Sequence, residues 1–139
     1  VNTYSLETTV AEKLDAILGL MEFSSRMKDY YDLYYPANKF DFDGATLMEA
    51  LKKTFENRDH RFTVEQFEQV MTFGSDDAMQ KKWKAFCRKI GTKTDDFNVV
   101  LRTIRVFLTE PYTAAITKNK YMKSWSANNG SWAQEGTMA

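Results

Sequence analysis

The side chains of this sequence that are best suited to chemistry lie in two short stretches near its beginning. One stretch contains Lys13, and the other contains Lys28, Asp29 and Asp32. Asp32 follows Lys28 by four residues and Asp29 by three, so on a helix these three side chains project near one face. A lysine is a compact positive charge for phosphate oxygens, and an aspartate can orient a group or assist a metal ion. If the two stretches form adjacent helices, Lys13 and Asp29 can converge on a phosphate-bearing substrate.

A purely structural role explains the same residues without chemistry. Lys28 and Asp32 can form an ion pair on a helix surface, which stabilises a protein by only about 0.3–0.5 kcal/mol. Local spacing alone favours this role. The only histidine, His60, lies in a polar loop where a solvated side chain is expected, and Cys87 lies on an apolar helix stripe where a buried, inert thiol is expected. The sequence has no Cys/His metal spacing, no glycine-rich phosphate loop and no Gly-x-Ser-x-Gly motif.

Composition and charge predict a single folded chain without a membrane partner. The sequence has 139 residues, of which 43% are hydrophobic, so it can bury a core. It has no run of about eighteen apolar residues, so no transmembrane helix is expected. It has one cysteine and no secretory signal at its N-terminus, so a cytoplasmic location is expected. Residues 1–57 carry six basic and ten acidic side chains and residues 58–139 carry thirteen and nine, so an acidic half precedes a basic half.

The element that must position Lys13 is an amphipathic helix. Thr9 and Glu12 have the spacing of a capping box, so this helix is expected to run from about Val10 to Met21. The preceding residues 2–8 partly alternate in polarity and could form one short N-terminal strand, the last strand of something upstream. Lys13 would lie at the edge of the apolar stripe, with its stem along apolar surface and its ammonium group reaching outward.

The rest of the periodicity is also helical, so the predicted fold is an all-α bundle of five or six helices. A second helix should carry Met27–Tyr35, with Pro36 stopping or kinking it. The expected caps of the later helices are, in chain order, Ser24 or Ser25, Asp43, Thr63, Ser75 and Thr94, and Pro111 should end the last helix.

The end of the chain lacks this periodicity. Residues 117–139 are polar and rich in glycine, asparagine and serine, so a tail is predicted. Trp125 and Trp132 are its isolated large apolar side chains. They could dock onto the body of the protein or onto a partner.

A family resemblance gives these patterns a function. The stretch "AEKLDAI", followed by "SRMKDYYDLYYPANKFDFDGATLMEALKKTF", resembles the abortive-infection nucleotidyltransferase toxins of the AbiEii/AbiGii type. The later "KKWKAFCRKIG" and "FNVVLRTIRVFLTEP" resemble the C-terminal helices of that family, so the resemblance covers roughly residues 4–111. It implies the toxin half of a bacterial toxin–antitoxin or phage-defence pair. Such a toxin transfers nucleotides from an NTP, with Mg²⁺, to an RNA acceptor such as tRNA, and its protein partner is a cognate antitoxin.

The resemblance also implies roles for individual residues. The family's lysine in an Ala-Glu-Lys-Leu stretch corresponds to Lys13, and its aspartate in a Lys-Asp-x-x-Asp-Leu stretch corresponds to Asp29. Lys13 would contact nucleotide phosphates and Asp29 would support catalysis, while Lys28, Asp32 and Arg26 would bind substrate or hold the site together. The family's Gly-Gly stretch and Asp-x-Asp metal pair have no counterpart ahead of Lys13. We therefore expect no metal ligand in this chain, and we expect it to be an inactive C-terminal fragment that binds neither Mg²⁺ nor NTP by itself.

The expected organisation has three parts. Residues 1–40 would close a nucleotidyltransferase-like domain and carry its later catalytic motifs, residues 41–116 would form a C-terminal helical domain, and residues 117–139 would be the tail. The alternative function is a non-enzymatic helical module that binds RNA or a protein. The basic stretch 81–105 and the tryptophan-bearing tail suggest that alternative.

Overall fold

Six α-helices surround one core in the computed structural model, which describes residues 5–21, 26–93 and 95–134. This confirms the predicted all-α bundle of five or six helices, to which a small antiparallel sheet is added. None of the helices in the described residues is long and apolar enough to cross a membrane. The helices are α1 Leu6–Leu20, α2 Met27–Lys39, α3 Gly44–Asn57, α4 Val64–Met71, α5 Asp77–Ile90 and α6 Phe97–Thr117, with a 3-10 turn at Thr72–Ser75. The strands are β1 Phe42–Asp43, β2 Lys123–Ser126 and β3 Ser131–Gln134.

The core forms where four helices meet. α1 contacts α2 and α3, and α6 contacts the same two helices. α4 packs against α1 and α6, and α5 packs against α2 and α6. Each helix of the central four contributes a fully buried leucine or isoleucine, namely Leu14, Leu33, Leu51 and Ile104. Because α1 and α2 lie side by side, polar groups at the edges of their apolar stripes can meet.

α1 begins earlier than the capping-box pattern predicts. The Oγ atom of Ser5 accepts a hydrogen bond from the backbone N–H of Thr8 at 3.1 Å, so Ser5 is the cap. Thr9 lies inside the helix, and its hydroxyl donates to the carbonyl of Ser5. The predicted strand is therefore wrong for residues 6–8, and residues 2–4 lie outside the described part of the chain. Because Ser5 can cap the helix about one turn before Thr9, α1 extends further toward the N-terminus than predicted.

Aspartates cap two helices for which hydroxyl residues were predicted. Asp76 caps α5, with its carboxylate accepting a backbone N–H at 2.9 Å, while Ser75 belongs to the preceding 3-10 turn. Asp96 caps α6 in the same way, at 2.7 Å. A carboxylate adds a full negative charge at the positive end of the helix dipole, which favours it over a neutral hydroxyl. The predicted caps Thr94, Ser24 and Ser25 lie outside the described residues.

The caps predicted for the two middle helices are confirmed. Asp43 accepts the backbone N–H of Thr46 at the start of α3. At the start of α4, Thr63 and Gln66 form both bonds of a capping box.

The helix stops predicted at Pro36 and at Pro111 are both wrong, and the alternative of a kink at Pro36 stays a prediction. α2 continues past Pro36 to Lys39, and α6 continues past Pro111 to its end at Thr117. Pro111 has no N–H, so the carbonyl of Phe107, four residues earlier, loses its helical partner. The indole N–H of Trp132 donates to that carbonyl at 2.9 Å. A contact from the far end of the chain therefore replaces the missing helical bond.

Residues 123–134 form a hairpin that no sequence pattern predicted. β2 pairs antiparallel with both β1 and β3, and Trp125 lies opposite Phe42 on one side and Trp132 on the other. Trp125 is buried, and its indole N–H donates to the carbonyl of Ala37 near the end of α2 at 2.8 Å. Both tryptophans thus dock onto the helices. The division of the chain at residues 40 and 116 stays a prediction.

Gly44 fixes how closely the hairpin approaches α3. A Cβ atom at this position would lie 2.7 Å from Cδ2 of Tyr121 and closer still to the carbonyl oxygen of Lys123. Gly19 on α1 offers a matched comparison, since a Cβ atom there would meet nothing within 4 Å.

We expect Gly44→Ala to lower the free energy of unfolding by about 1–3 kcal/mol, because the added methyl group overpacks this contact. Gly19→Ala should raise it by about 0.4–1 kcal/mol, because alanine restricts the unfolded chain and fits the helix. Urea unfolding followed by circular dichroism measures both. Equal effects of the two substitutions would contradict a tightly packed hairpin.

Candidate functional site

Helix packing brings the predicted functional residues to the junction of α1 and α2. Lys13 lies beside the buried Leu14, at the edge of the apolar stripe of α1. Asp29 lies in the first turn of α2, and Asp32 follows it by about one turn. The two helices contact each other, so the lysine of one faces the carboxylates of the other. The first two helices thus bring these side chains together.

Four of the five predicted residues form one ion-pair network, which we call the lysine–aspartate cluster: Lys13, Lys28, Asp29 and Asp32. The Nζ atom of Lys13 lies 3.4 Å from Oδ1 of Asp29 and 3.2 Å from Oδ2 of Asp32. The Nζ atom of Lys28 lies 2.8 Å from the same Oδ2 atom of Asp32. The fifth residue, Arg26, is the exposed residue before the first turn of α2, and it forms no ion pair with a described residue.

Burial divides the cluster into an inner and an outer pair. The side chain of Asp29 is 2% exposed and that of Lys13 is 24% exposed, whereas that of Lys28 is 62% exposed. The Lys28–Asp32 pair therefore matches the structural role that the spacing suggested. The Lys13–Asp29 pair does not, because it joins two helices and takes a carboxylate out of water.

One oxygen of the cluster has no hydrogen-bond partner. Oδ2 of Asp29 is buried, and no group among the described residues donates to it. Leaving a buried acceptor unsatisfied costs about 1–3 kcal/mol, and more for a charged group. Atoms of this kind are uncommon in native proteins and are typical of strained or functional positions.

The donor set of the cluster fits an anion better than a metal ion. The ammonium group of Lys13 has three N–H donors, and two carboxylates lie within ion-pair distance of it, which leaves one donor for a further acceptor. No group of three or more His, Cys, Asp or Glu side chains in the described residues could hold a metal ion. Lys13 itself occupies the place between Asp29 and Asp32 where a cation would lie. The described residues therefore do not fit a resident Mg²⁺ ion.

A second polar cluster lies on another face of α1 and was missed by sequence reasoning. Nδ1 of His60 lies 2.8 Å from Oδ2 of Asp15, and Arg58 contacts both Asp15 and Glu12. The expectation of a merely solvated histidine is therefore wrong, since His60 ties the loop before α4 to α1. The available signal was Asp15, a carboxylate inside an apolar stripe that the structure buries to 3% exposure.

A cavity of about 530 Å³ adjoins this second cluster, not the first. His60, Phe62, Lys52 and Lys118 are among its lining residues. No residue of the lysine–aspartate cluster lines this cavity, so the position of the cavity does not by itself indicate the cluster as a site. The unsatisfied oxygen of Asp29 favours the lysine–aspartate cluster as the candidate site, because both carboxylate oxygens of Asp15 have partners, one in His60 and one in Arg58.

The fold and the cluster define a mostly helical protein with a lysine held between two carboxylates. Comparison with protein families gives a match over residues 1–110 to the family described as nucleotidyl transferase AbiEii toxin, type IV toxin–antitoxin system. The chain belongs to this family of nucleotidyltransferase toxins, which confirms the resemblance read from the sequence. The toxin–antitoxin family implies an antitoxin as partner. Neither the curated proteins nor the solved structures contain a match.

The cluster predicts unequal costs for removing its two lysines. Lys13→Met should lower the free energy of unfolding by about 1–3 kcal/mol, because it leaves Asp29 buried without its ion-pair partner. Lys28→Met should cost at most about 0.5 kcal/mol, since its pair is exposed. Urea unfolding of both variants at neutral pH measures the difference. Adding Asp29→Asn to Lys13→Met should recover part of the loss, and equal costs for the two lysines would show that Asp29 does not depend on Lys13.

Proposed function

We propose that this chain is the C-terminal part of a toxin that transfers nucleotides from an NTP to an RNA acceptor, with tRNA as one candidate acceptor. The toxin would act in the cytoplasm, where its cognate antitoxin counters it, and it would serve in phage defence. Family membership supports the reaction type. The observation that carries the finer proposal is the ammonium group of Lys13, held between Asp29 and Asp32.

The reaction requires positive charge at the phosphates. The oxygen of the acceptor hydroxyl loses its proton to solvent and forms a bond to the α-phosphorus of the NTP. The bond from that phosphorus to the oxygen of the β-phosphate breaks, and pyrophosphate departs. Enzymes accelerate such transfers mainly by positioning and by stabilising charge on the phosphate oxygens. Lys13 would use its remaining N–H donor on a phosphate oxygen. Asp29 would act as a positioning residue that holds the ammonium group in place.

The more exposed cations would extend this site. Lys28 reaches solvent at the outer edge of the cluster, and Arg26 precedes it by two residues, at the N-cap of α2. Both would bind phosphates of the substrate rather than take part in the chemical step. Asp32 would link the outer cation to the inner one, because its Oδ2 atom is within ion-pair distance of both lysines.

The Mg²⁺ and NTP of the reaction would be held largely by groups outside the described residues. The charge balance of the cluster supports this, because Lys13 and Lys28 together balance the charges of Asp29 and Asp32. The chain would accordingly be inactive by itself. A nucleotide-transfer assay with labelled NTPs and an RNA mixture tests this. No product is expected from the 139-residue chain, and clear turnover by it would contradict the division of the site.

In a protein where this chain is joined to the metal-binding part, single substitutions should separate the roles. Lys13→Ala should lower kcat/KM by roughly 100-fold, the typical cost of removing one group that stabilises developing charge. Asp29→Asn should lower kcat as well, because Lys13 is then held less firmly. Lys28→Ala should mainly raise KM. Lys53→Ala, an exposed lysine on α3, is the matched control and should change neither constant. Full activity of Lys13→Ala with normal folding would remove Lys13 from the proposal.

A non-enzymatic module that binds RNA or a protein is the second candidate. The outer face of α5 supports it, because this face exposes many cations: Lys81, Lys82, Lys84, Arg88 and Lys89. In that case Lys13→Ala and Asp29→Ala would leave the biological effect of the protein unchanged in cells.

A further inference from the structure

An aromatic groove runs along α2 on the side that faces α5. It is a cavity of about 490 Å³ between α2 and the described residues of the loop that joins α5 to α6. We define this groove by its lining residues: Tyr31, Tyr34, Tyr35, Asn38, Lys39, Thr92, Lys93 and Asp95.

The rings beside this groove form a continuous series at the surface. The ring of Tyr31 lies 5.9 Å from those of both Tyr35 and Phe86, and the ring of Tyr35 lies 6.5 Å from that of Phe40. Tyr35 and Phe40 are 43% and 44% exposed. Exposed aromatic rings that adjoin one another, unlike single scattered ones, are typical of interaction surfaces.

The walls of the groove carry positive charge. Lys39 and Lys93 are exposed on its opposite walls. A second cavity of about 570 Å³ shares Lys93 with the groove and adds Lys84 and Arg88. The carboxylates here are already engaged, since Tyr34 donates a hydrogen bond to Asp95 and Asp96 caps α6. Burial and the bond to Asp95 raise the pKa of Tyr34 to about 12, which keeps its hydroxyl a donor.

Aromatic rings between lysines are the chemistry of single-stranded nucleic acid binding. Bases stack on the rings, and the cations follow the phosphates. A protein partner fits less well, because lysine is depleted in protein–protein interfaces while aromatic residues are enriched. The combination therefore favours a nucleic acid over a protein.

Helix geometry joins the groove to the lysine–aspartate cluster. Lys28, Tyr31, Asp32 and Tyr35 are spaced by three or four residues on α2, so they share one face of the helix. Tyr31 lies between Asp29 and Asp32 along α2, and Tyr35 lies about 6 Å further along the helix axis. A strand stacked on these rings would have its end at Lys28 and Asp32.

We infer that the aromatic groove binds single-stranded RNA and leads its end to the lysine–aspartate cluster. This inference rests on the proposed function for the identity of the strand as the acceptor. Binding itself requires neither NTP nor metal, so it can be tested on the whole 139-residue chain.

The test is fluorescence anisotropy with a fluorescein-labelled single-stranded RNA of about 10 nucleotides and mixed sequence. Tyr31→Ala combined with Tyr35→Ala should weaken binding at least about 30-fold, because each ring removed takes away one base-stacking contact. Changing both residues to phenylalanine should preserve binding, since the rings remain. Circular dichroism confirms that the variants fold. Duplex RNA should bind more weakly, because its bases are not available for stacking.

The lysines give an independent readout through salt. Lys39→Ala combined with Lys93→Ala should weaken binding and reduce the slope of log K against log salt by about 1.4, which is about 0.7 per lost phosphate contact. Lys52→Ala combined with Lys118→Ala removes two cations at the other cavity and should leave affinity and slope unchanged.

Several results would overturn the inference. These are unchanged RNA affinity in the tyrosine-to-alanine variant, equal affinity for duplex RNA, or a salt response that is flat between about 50 and 200 mM. Self-association of the chain through the same tyrosines, seen by sedimentation, would make the groove a protein interface. Two results would separate this inference from the proposed function. If RNA binds in the groove but the protein that includes the metal-binding part transfers no nucleotide, the proposed function is wrong and the groove stands. If nucleotide transfer depends on Lys13 but not on Tyr31 and Tyr35, the RNA groove is wrong and the proposed function stands.

Discussion

The constraint on which the site depends is the burial of the Asp29 carboxylate at the junction of two helices. An isolated charge that is 2% exposed is costly, and a cation or hydrogen-bond donors must offset that cost. Lys13 supplies the cation from α1. The apolar stripes of α1 and α2 must therefore pack in the one register that brings these two side chains together. Packing and charge pairing select the same arrangement, as expected of a sequence whose local and tertiary preferences agree.

A second constraint comes from two tryptophans, whose indole N–H groups donate to backbone carbonyls that have no partner within their helices. Trp132 donates to the carbonyl freed by Pro111, and Trp125 donates to a carbonyl at the end of α2. Each indole also packs against Phe107, so one side chain fills apolar space and satisfies a backbone acceptor. The hairpin is thereby part of the fold that supports α2 and α6.

α2 is the element through which the proposed functions connect. One of its faces is buried through Tyr30 and Leu33, and its first turn contributes Asp29 to the charge network. Its remaining face exposes tyrosines to the groove. One helix can contact the core, the charge network and the groove because successive side chains are about 100° apart around its axis. The stretch from Lys28 to Tyr35 thus combines packing, charge and a stacking surface within about two turns.

Local patterns in the sequence were enough for the helix content, for the middle caps and for the family. Periodic apolar residues and capping boxes act within a few residues, and the two family motifs are contiguous stretches. The sequence also singled out Lys13 and Asp29. Only the tertiary structure decided that their ion pair is more buried than the pair of Lys28 and Asp32. The extension of α6 past Pro111, the hairpin and the bond between His60 and Asp15 likewise needed the structure. Each of these depends on a partner at least 20 residues away in the chain, and no local pattern encodes which distant donor will satisfy a given carbonyl or carboxylate.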